Sequence, residues 1–374
     1  MPSLARVPAV RRLPQLLTPI RDDVVLFESW HGRYSDSPRA ISEELHRRGA
    51  PVRHVWVVDD PADAPAWAEA VGPDSSRYLT AMGRARFIVT NNTLPGYFRK
   101  KRGATYLQTW HGTPLKRIGF DLRNLPFTGA TKSFDSLRRD VATWDALVSQ
   151  NRFSTEVLRK AFEFEGEIHE TGYPHNDVLR RPEGDAVRRE LRQRLGIADG
   201  VRAVLYAPTW RDTPTFSTEL RFDVLADALG DDHALLLRAH PLVASTVGVA
   251  DSQRVRNVSA HPDVRDLYLA ADVLVTDYSS AMFDFAVTRK PMLFYTYDLA
   301  SYSTDLRGFY FDFEASAPGP LLQTTDQLLD ALRAPDAVRR EYAAAYDAFV
   351  ERFCHLDDGN ASQRIVDRVF AGVA

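Results

Sequence analysis

The chain has 374 residues, of which 44% are hydrophobic and 26% are charged, and its formal net charge at pH 7 is −3. These values fit a soluble globular protein of two or three domains. No apolar run approaches the roughly 18 to 20 residues of a membrane-spanning helix, and the one cysteine, Cys354, excludes an internal disulfide. Residues 1–178 carry 25 Lys and Arg against 21 Asp and Glu, an excess that tolerates an anionic partner but is too small to indicate nucleic acid.

In the first half of the chain, short apolar runs alternate with helical patterns. The runs predict strands at 24–29, 52–59, 87–91, 104–108, 146–150 and 168–172. Capping residues and periodicity predict helices at 35–49, 61–71 and 154–164. Residues 119–140 are polar and irregular, so we expect a mobile loop there. The N-terminal 20 residues are interrupted by prolines and carry arginine and leucine. They do not have the pattern of a signal peptide. They could lie on a membrane surface, but a disordered or loosely packed tail is the favoured interpretation.

A second alternation follows a helical linker at 175–200. It predicts strands at 203–206, 234–238, 256–258, 273–276 and 292–295, with helices at 222–229, 264–270, 279–287 and through the tail 335–373. Apolar strands separated by helices indicate parallel sheets that are covered on both faces. The sequence therefore predicts an α/β protein of two doubly wound, Rossmann-like domains that face a central cleft.

The stretch Trp110-His111-Gly112-Thr113-Pro114 directly follows the strand predicted at 104–108. Glycine and proline favour a sharp turn, which leaves His111 at the carboxyl end of the strand, where α/β sheets bind ligands. Histidine suits proton transfer near neutral pH. A structural histidine on a turn is an equally good interpretation of the local sequence.

Three strands of the second half also end in polar residues. Arg211, His240 and the pair Ser279-Ser280 follow the ends of three predicted strands, and arginine, hydroxyl groups and a helix start all favour phosphate. Simple helix capping by Asp277 or Ser279, and a packing role for His240, remain alternatives. The chain lacks a P-loop and the G-x-G-x-x-G, H-E-x-x-H and G-x-S-x-G motifs, so ATPase, dehydrogenase, zincin and hydrolase functions lack support.

A series of longer motifs resembles the CDP-glycerol glycerophosphotransferase family, the teichoic acid primases and polymerases, over nearly the whole chain. These motifs are Phe27-Glu28-Ser29, Tyr34-Ser35-Asp36-Ser37-Pro38, Gln108-Thr109-Trp110-His111-Gly112-Thr113-Pro114-Leu115-Lys116, Thr171-Gly172-Tyr173-Pro174, Tyr206-Ala207-Pro208-Thr209-Trp210-Arg211, Arg238-Ala239-His240-Pro241, Thr276-Asp277-Tyr278-Ser279-Ser280 and Arg307-Gly308-Phe309-Tyr310. The chain departs from the family pattern at Trp30-His31 and at His175.

The resemblance implies a GT-B-like fold with domains at 1–178 and 179–352 and a C-terminal helix, 353–374, that packs back on the first domain. It implies transfer of glycerol phosphate from CDP-glycerol to a hydroxyl of a lipid-linked or polymeric acceptor, with release of CMP. The catalytic residues that it implies are His111 and His240. Our candidates for donor binding are Thr209, Arg211, Asp277, Ser279, Ser280 and Arg307, and those on the acceptor side are Gly112, Thr113, Lys116, Ser35 and Asp36.

The same resemblance leads us to expect no tightly bound metal or other cofactor, and a cytoplasmic enzyme at the inner face of the membrane. The small charge excess leads us to expect no nucleic acid partner. A CDP-ribitol transferase, or a nucleotide-sugar transferase on the same fold, is the alternative enzyme. A non-catalytic module that binds a nucleotide or polymer is the alternative of another class. The sequence leaves open how many units are added to the acceptor.

Overall fold

The structure is a computed structural model that describes residues 8–123, 134–209, 218–239, 252–299 and 308–373. The chain forms two compact units. The first consists of Met1–His111, Ile118–Asp177 and Leu356–Ala374, and the second of Gly112–Arg117 and Val178–His355. Each unit is built on one parallel sheet with helices. The predicted α/β, Rossmann-like fold class is confirmed.

The first unit contains a seven-stranded parallel sheet in the order β3-β2-β1-β4-β5-β6-β7. The strands are β1 (Arg21–Glu28), β2 (Arg53–Val57), β3 (Glu69–Val71), β4 (Ala85–Thr90), β5 (Thr105–Gln108), β6 (Ala146–Ser149) and β7 (Glu167–Glu170). The helices are α1 (Pro8–Leu17), α2 (Asp36–Arg47), α3 (Ser76–Arg84), α4 (Asp135–Val141) and α5 (Arg152–Ala161). Alternate residues of β1 enter two separate cores, Val24 and Leu26 in one and Val25 and Phe27 in the other, so the sheet is covered on both faces.

One predicted helix of this unit is wrong. In the 61–71 stretch, a single 3-10 turn (Pro61–Asp63) is followed by the edge strand β3. The side chain of Asp60 caps the turn, and Pro65 disfavours helical angles at Ala64, which is extended. In the 119–140 stretch, the described parts include another 3-10 turn (Gly119–Leu122) and α4. Residues 124–133 of the predicted loop lie outside the described residues.

The second unit contains a six-stranded parallel sheet in the order β10-β9-β8-β11-β12-β13. Its strands are β8 (Arg202–Tyr206), β9 (His233–Leu237), β10 (Val255–Asn257), β11 (Val273–Thr276), β12 (Met292–Tyr295) and β13 (Leu321–Leu322). Helices described in this unit are α6 (Glu183–Arg194), α7 (Phe222–Leu229), α8 (Val264–Ala270), α9 (Ala281–Ala286), α10 (Phe313–Ser316), α11 (Thr325–Arg333), α12 (Pro335–Glu341) and α13 (Ala343–Phe353). The predicted linker at 175–200 contains a 3-10 helix (Pro174–Leu179) and α6. Within the described ranges, no helix has both the length and the apolar composition needed to cross a bilayer.

The short segment Gly112–Arg117 belongs to the second unit, although the predicted first domain, 1–178, includes it. Its backbone pairs with residues 308–310. The Arg117 amide donates to the Gly308 carbonyl (3.1 Å), and the Tyr310 amide donates to the Leu115 carbonyl (2.9 Å). These backbone hydrogen bonds are long-range in sequence, so local patterns carry no sign of them.

The C-terminal helix, α14 (Ala361–Val369), packs on the first unit. The Asp177 carboxylate accepts from the backbone amides of Ala361 (2.9 Å) and Ser362 (2.8 Å). A carboxylate beside the first amides of a helix is favourable because those donors lack partners within the helix. Ile365 and Val366 are buried in the core behind β1, so the helix completes one face of the first sheet.

Next to this cap, the buried Asp357 makes the stability of the first unit depend on pH. Burial raises the pKa of Asp357 to about 7, against the lowering effect of its hydrogen bond from the Tyr173 amide (2.8 Å). The folded protein therefore holds a proton that the unfolded chain releases near pH 4, and stability falls as the pH rises from 4 to 7. We expect Asp357→Asn to remove this slope and to raise the free energy of unfolding at pH 8 by at most about 4 kcal/mol relative to wild type.

The neighbouring Asp358 provides the matched control. Burial alone would raise its pKa, but hydrogen bonds from Arg364 and Asn360 lower it. Asp358→Asn should therefore lose stability at neutral pH and lose little at acid pH, the opposite sign. Urea unfolding between pH 2 and 8 measures both variants, because the effect of Asp358 changes only below its usual pKa of about 4. Parallel curves for Asp357→Asn and wild type would show that the assigned pKa is wrong.

Candidate functional site

The turn after β5 is held by a buried side-chain amide. The Trp110 amide donates to Gln108 Oε1 (2.9 Å), and Gln108 Nε2 donates to the Asn92 carbonyl in the loop after β4 (3.0 Å). Trp110 has φ 55° and Gly112 has φ 133°. The left-handed angle at a tryptophan is costly, by about 1 kcal/mol or more, and persists because these hydrogen bonds hold it. His111 therefore follows a turn with a fixed geometry at the carboxyl end of β5.

The same three residue types recur after β1. Trp30, His31 and Gly32 follow the strand, with φ 45° at Trp30 and 129° at Gly32, and the Trp30 amide donates to Asn91 Oδ1 (3.1 Å). Sequence reasoning treated Trp30-His31 as a departure from the family pattern and missed its relation to Trp110-His111. The repeated Trp-His-Gly motif was the feature of the sequence that could have revealed this relation. Because β1 and β4 are neighbours, and β5 is next to β4, the two turns lie on the same edge of the sheet.

His111 lies against two indole rings. Its ring centroid is 4.0 Å from that of Trp110, with the planes 26° apart, and 5.0 Å from that of Trp30, at 45°. Burial lowers the pKa of His111, while the negative charge of Asp36 opposes the shift. A lowered pKa keeps the imidazole neutral near pH 7, the state in which it can accept a proton.

Asp36 positions the indole that contacts His111. Its carboxylate accepts from Trp30 Nε1 (3.0 Å) and from the Tyr173 hydroxyl (2.7 Å), and its backbone has φ 60°. Only 4% of Asp36 is exposed, and the predicted acceptor-side Ser35 is also buried, with its hydroxyl 3.1 Å from that of Ser29. These contacts favour positioning roles for both residues. Tyr173 joins the site through Asp36, which local sequence did not indicate.

A second group of predicted residues lies at the carboxyl ends of the adjacent strands β8 and β11. Both oxygens of the buried Asp277 accept from the Thr209 amide (2.9 and 3.1 Å), and Lys116 Nζ lies 3.4 Å from Thr209 Oγ1. Asp277 thereby fixes the loop after β8. Lys116, predicted on the acceptor side, lies with the predicted donor-binding Thr209.

The two predicted serines lie just before α9. Ser279 Oγ accepts from the Ala281 amide (3.3 Å), so capping explains part of its role. A Cβ placed on Gly112 would be 4.0 Å from Ser280 Oγ, so there is room for a side chain, and the positive φ is what favours glycine. Thr113, in the same segment, is buried. Because α9 has only six residues, its dipole supports phosphate binding less than the sequence pattern suggested, and the hydroxyl groups matter more.

Three predicted residues, His240, Arg211 and Arg307, lie outside the described residues. Their catalytic and donor-binding roles stay predictions. The other predicted residues divide into a histidine group in the first unit and a hydroxyl and lysine group in the second.

Two Rossmann-like, parallel-sheet units with polar groups at the strand ends define a GT-B-like α/β protein. Residues 12–371 match the family described as CDP-Glycerol:Poly(glycerophosphate) glycerophosphotransferase, and the chain belongs to that family. The family resemblance predicted from the sequence motifs is confirmed, and with it the enzyme class, a glycerophosphotransferase.

Similar proteins agree with this assignment. The chain is 39% identical to a teichoic acid glycerol-phosphate transferase of Staphylococcus aureus, over 93% of both chains. It is 37% identical to a teichoic acid poly(glycerol phosphate) polymerase of Bacillus subtilis, over 94% of this chain, but spans only 49% of the length of that polymerase. Among solved structures, the wall teichoic acid polymerase TagF, a histidine-to-asparagine variant soaked with CDPG, superposes with a TM-score of 0.90 and 37% identity over 98% of this chain and 93% of that chain.

Proposed function

We propose that this chain transfers glycerol phosphate from CDP-glycerol to a hydroxyl group of a lipid-linked or polymeric acceptor, with release of CMP, in the synthesis of a teichoic-acid-like cell-surface polymer. The observation that carries the proposal is the setting of His111, a histidine of lowered pKa held by two indoles at a strand end. Family membership and the Staphylococcus aureus relative support the donor and the type of acceptor.

In the proposed reaction, the acceptor oxygen attacks the phosphorus that carries glycerol. The bond between that phosphorus and the CMP oxygen breaks, and the proton of the acceptor hydroxyl passes to the neutral His111 imidazole. Base catalysis of this kind contributes about 10² to 10⁴ in rate. The negative charge that develops on CMP requires hydrogen-bond donors and cations around the leaving phosphate.

Donor binding is proposed for Thr209, Ser279 and Ser280, with Lys116 as a cation and Asp277 as the residue that orients Thr209. The hydrogen bonds of Asp277 and Lys116 to Thr209 support this grouping. His240 and Arg211 are supported by their places after predicted strands and by the family resemblance, and Arg307 by its place in the family motif. We also propose that the reaction needs no resident metal, so turnover should survive prolonged treatment with a chelator.

The decisive experiment measures CMP release and product mass with CDP-glycerol and CDP-ribitol in parallel, with and without a lipid-linked acceptor. We expect acceptor-dependent CMP release and an added mass of glycerol phosphate with CDP-glycerol. Ribitol phosphate in the product instead would assign the alternative donor. Tight binding of either donor without CMP release would contradict the proposed activity.

We further propose that the enzyme works at the cytoplasmic face of a membrane, because its acceptor is lipid-linked. Helix α1 supports this location, since Leu13, Leu16 and Leu17 are 50%, 62% and 78% exposed. Exposed leucines on a helix favour an interfacial position. Co-sedimentation with vesicles containing an anionic lipid tests the proposal, and protein that stays in the supernatant at low salt would contradict it.

A further inference from the structure

The second unit has a basic cavity at the amino-terminal edge of its sheet. The cavity has a volume of about 540 Å³. Six cationic side chains line it: Arg188, Arg192, Arg202, Arg289, Lys290 and Arg339. Two carboxylates, Asp272 and Asp336, also line it, so the cations exceed the anions by four.

This basic cavity lies away from the proposed donor group. Arg202 begins β8, and Lys290 lies two residues before the start of β12. Thr209 follows the opposite, carboxyl end of β8. The five residues of β8 separate the two edges by about 16 Å at 3.3 Å per residue. The cavity is therefore distinct from the site that the proposed chemistry uses.

Part of the cation cluster has a structural role. Arg188 donates to the Leu269 carbonyl (2.6 Å) and to Asp272 (2.6 Å), and Lys290 Nζ donates to the Ala271 carbonyl (2.6 Å). These contacts satisfy carbonyls at the end of α8 and neutralise Asp272. Arg192 shares both tasks.

The remaining cations are not needed for that role. Arg202 pairs with Asp336 (3.0 Å) and Arg289 with Asp347 (2.7 Å), and both carboxylates are about two-thirds exposed, so solvent screens these pairs. Arg339 is 20% exposed, and its Nη2 lies 3.6 Å from the same Asp347 carboxylate, while its buried Nε has no hydrogen-bond partner among the described residues. Burial, and then the charge of Arg188, lower the pKa of Lys290 to about 8. Because the lining still has more cations than carboxylates, the cavity favours an anion.

We propose that this cavity is a second anion site that binds the phosphodiester chain of the acceptor polymer, an inference that rests on the proposed function. Guanidinium groups match phosphate oxygens in geometry, and a phosphodiester carries one negative charge. A single phosphate monoester, with a charge of about −1.5 to −2, would leave part of the cation excess unmatched. Several successive phosphodiesters match it better, and binding them would hold a growing chain on the enzyme between additions.

The test measures binding of a soluble, defined-length oligo(glycerol phosphate) by calorimetry at several salt concentrations. The variant Arg202→Gln with Arg289→Gln removes two lining charges and leaves the Asp272 cluster intact. The matched control is Arg254→Gln with Arg333→Gln, which removes two arginines of the same unit that pair with exposed carboxylates and do not line the cavity. We expect the lining variant to lose about tenfold in affinity at low salt and to show a shallower salt dependence, and the control to bind like wild type.

Equal losses in the two double variants, or no loss in either, would overturn the proposal. Displacement of the oligomer by inorganic phosphate at the same concentration of phosphate groups would also overturn it, because the site would then take single phosphates. The proposal would also be wrong if the lining variant lost binding to vesicles of phosphatidylglycerol but kept its binding to the oligomer.

CMP release with a short acceptor is measured on the same samples. If the protein binds the oligomer but releases no CMP, the proposed activity is wrong and the site stands. If it releases CMP but does not bind the oligomer, the site is wrong and the proposed activity stands.

Discussion

His111→Ala is expected to lower the turnover of CDP-glycerol by about 10² to 10⁴ while the protein stays folded, because the attacking hydroxyl loses its base. In wild type, the acid limb of the rate profile should lie below the ordinary histidine pKa of about 6.5, since burial lowers the pKa of His111. The rate then falls as the pH drops through that value and the imidazole becomes charged. Asp36→Asn should move the limb to still lower pH, because Asp36 opposes the shift.

His31→Ala is the matched control for this experiment. His31 occupies the same position in the other Trp-His-Gly turn, but its side chain is 73% exposed, and the Glu28 carboxylate, 3.8 Å away, raises its pKa. We expect near-wild-type turnover from this variant. If the His111 variant keeps wild-type turnover, or if the two variants lose activity equally, His111 is not the specific base. Steady-state CMP release across pH 5 to 8 distinguishes these results.

Lys116→Gln is expected to weaken CDP-glycerol binding by about 10- to 100-fold, with a smaller effect on the rate at saturation. The reason is that Lys116 brings a positive charge to Thr209, at 3.4 Å, in the group proposed to bind the donor phosphates. Hydrogen bonds to charged groups contribute about 1.5 to 3 kcal/mol, which corresponds to that range.

The exposed Lys160, at the end of α5 in the other unit, provides the control, because Lys160→Gln changes the net charge equally. Calorimetric titration with CDP-glycerol measures both variants. A drop in turnover without a change in donor affinity would instead assign Lys116 to acceptor binding, the role predicted from the sequence. Equal weakening by both substitutions would indicate a general charge effect.

The elements that the sequence predicted well are those with strong local signals. The predicted strands at 273–276 and 292–295 and the helices at 222–229 and 264–270 coincide with β11, β12, α7 and α8. Short continuous apolar runs bounded by turn residues are typical of strands in a sheet covered on both faces, and capping residues mark the helix starts. The same local reasoning correctly placed His111 just beyond β5. It failed at 61–71, where Pro65 interrupts an otherwise helical composition.

The sequence by itself therefore determined the fold class, the family and the histidine at the end of a strand. Only the tertiary structure decided which groups surround that histidine in the first unit, and which groups gather around Thr209 in the second. Asp36 and Tyr173 are 137 residues apart, and Lys116 and Thr209 are 93 apart. Such contacts depend on the order of strands in each sheet and on which segments join each unit, and no local propensity encodes either. The basic cavity arises in the same way, because its arginines come from helices and strand starts that are distant in the chain and meet only when the second sheet forms.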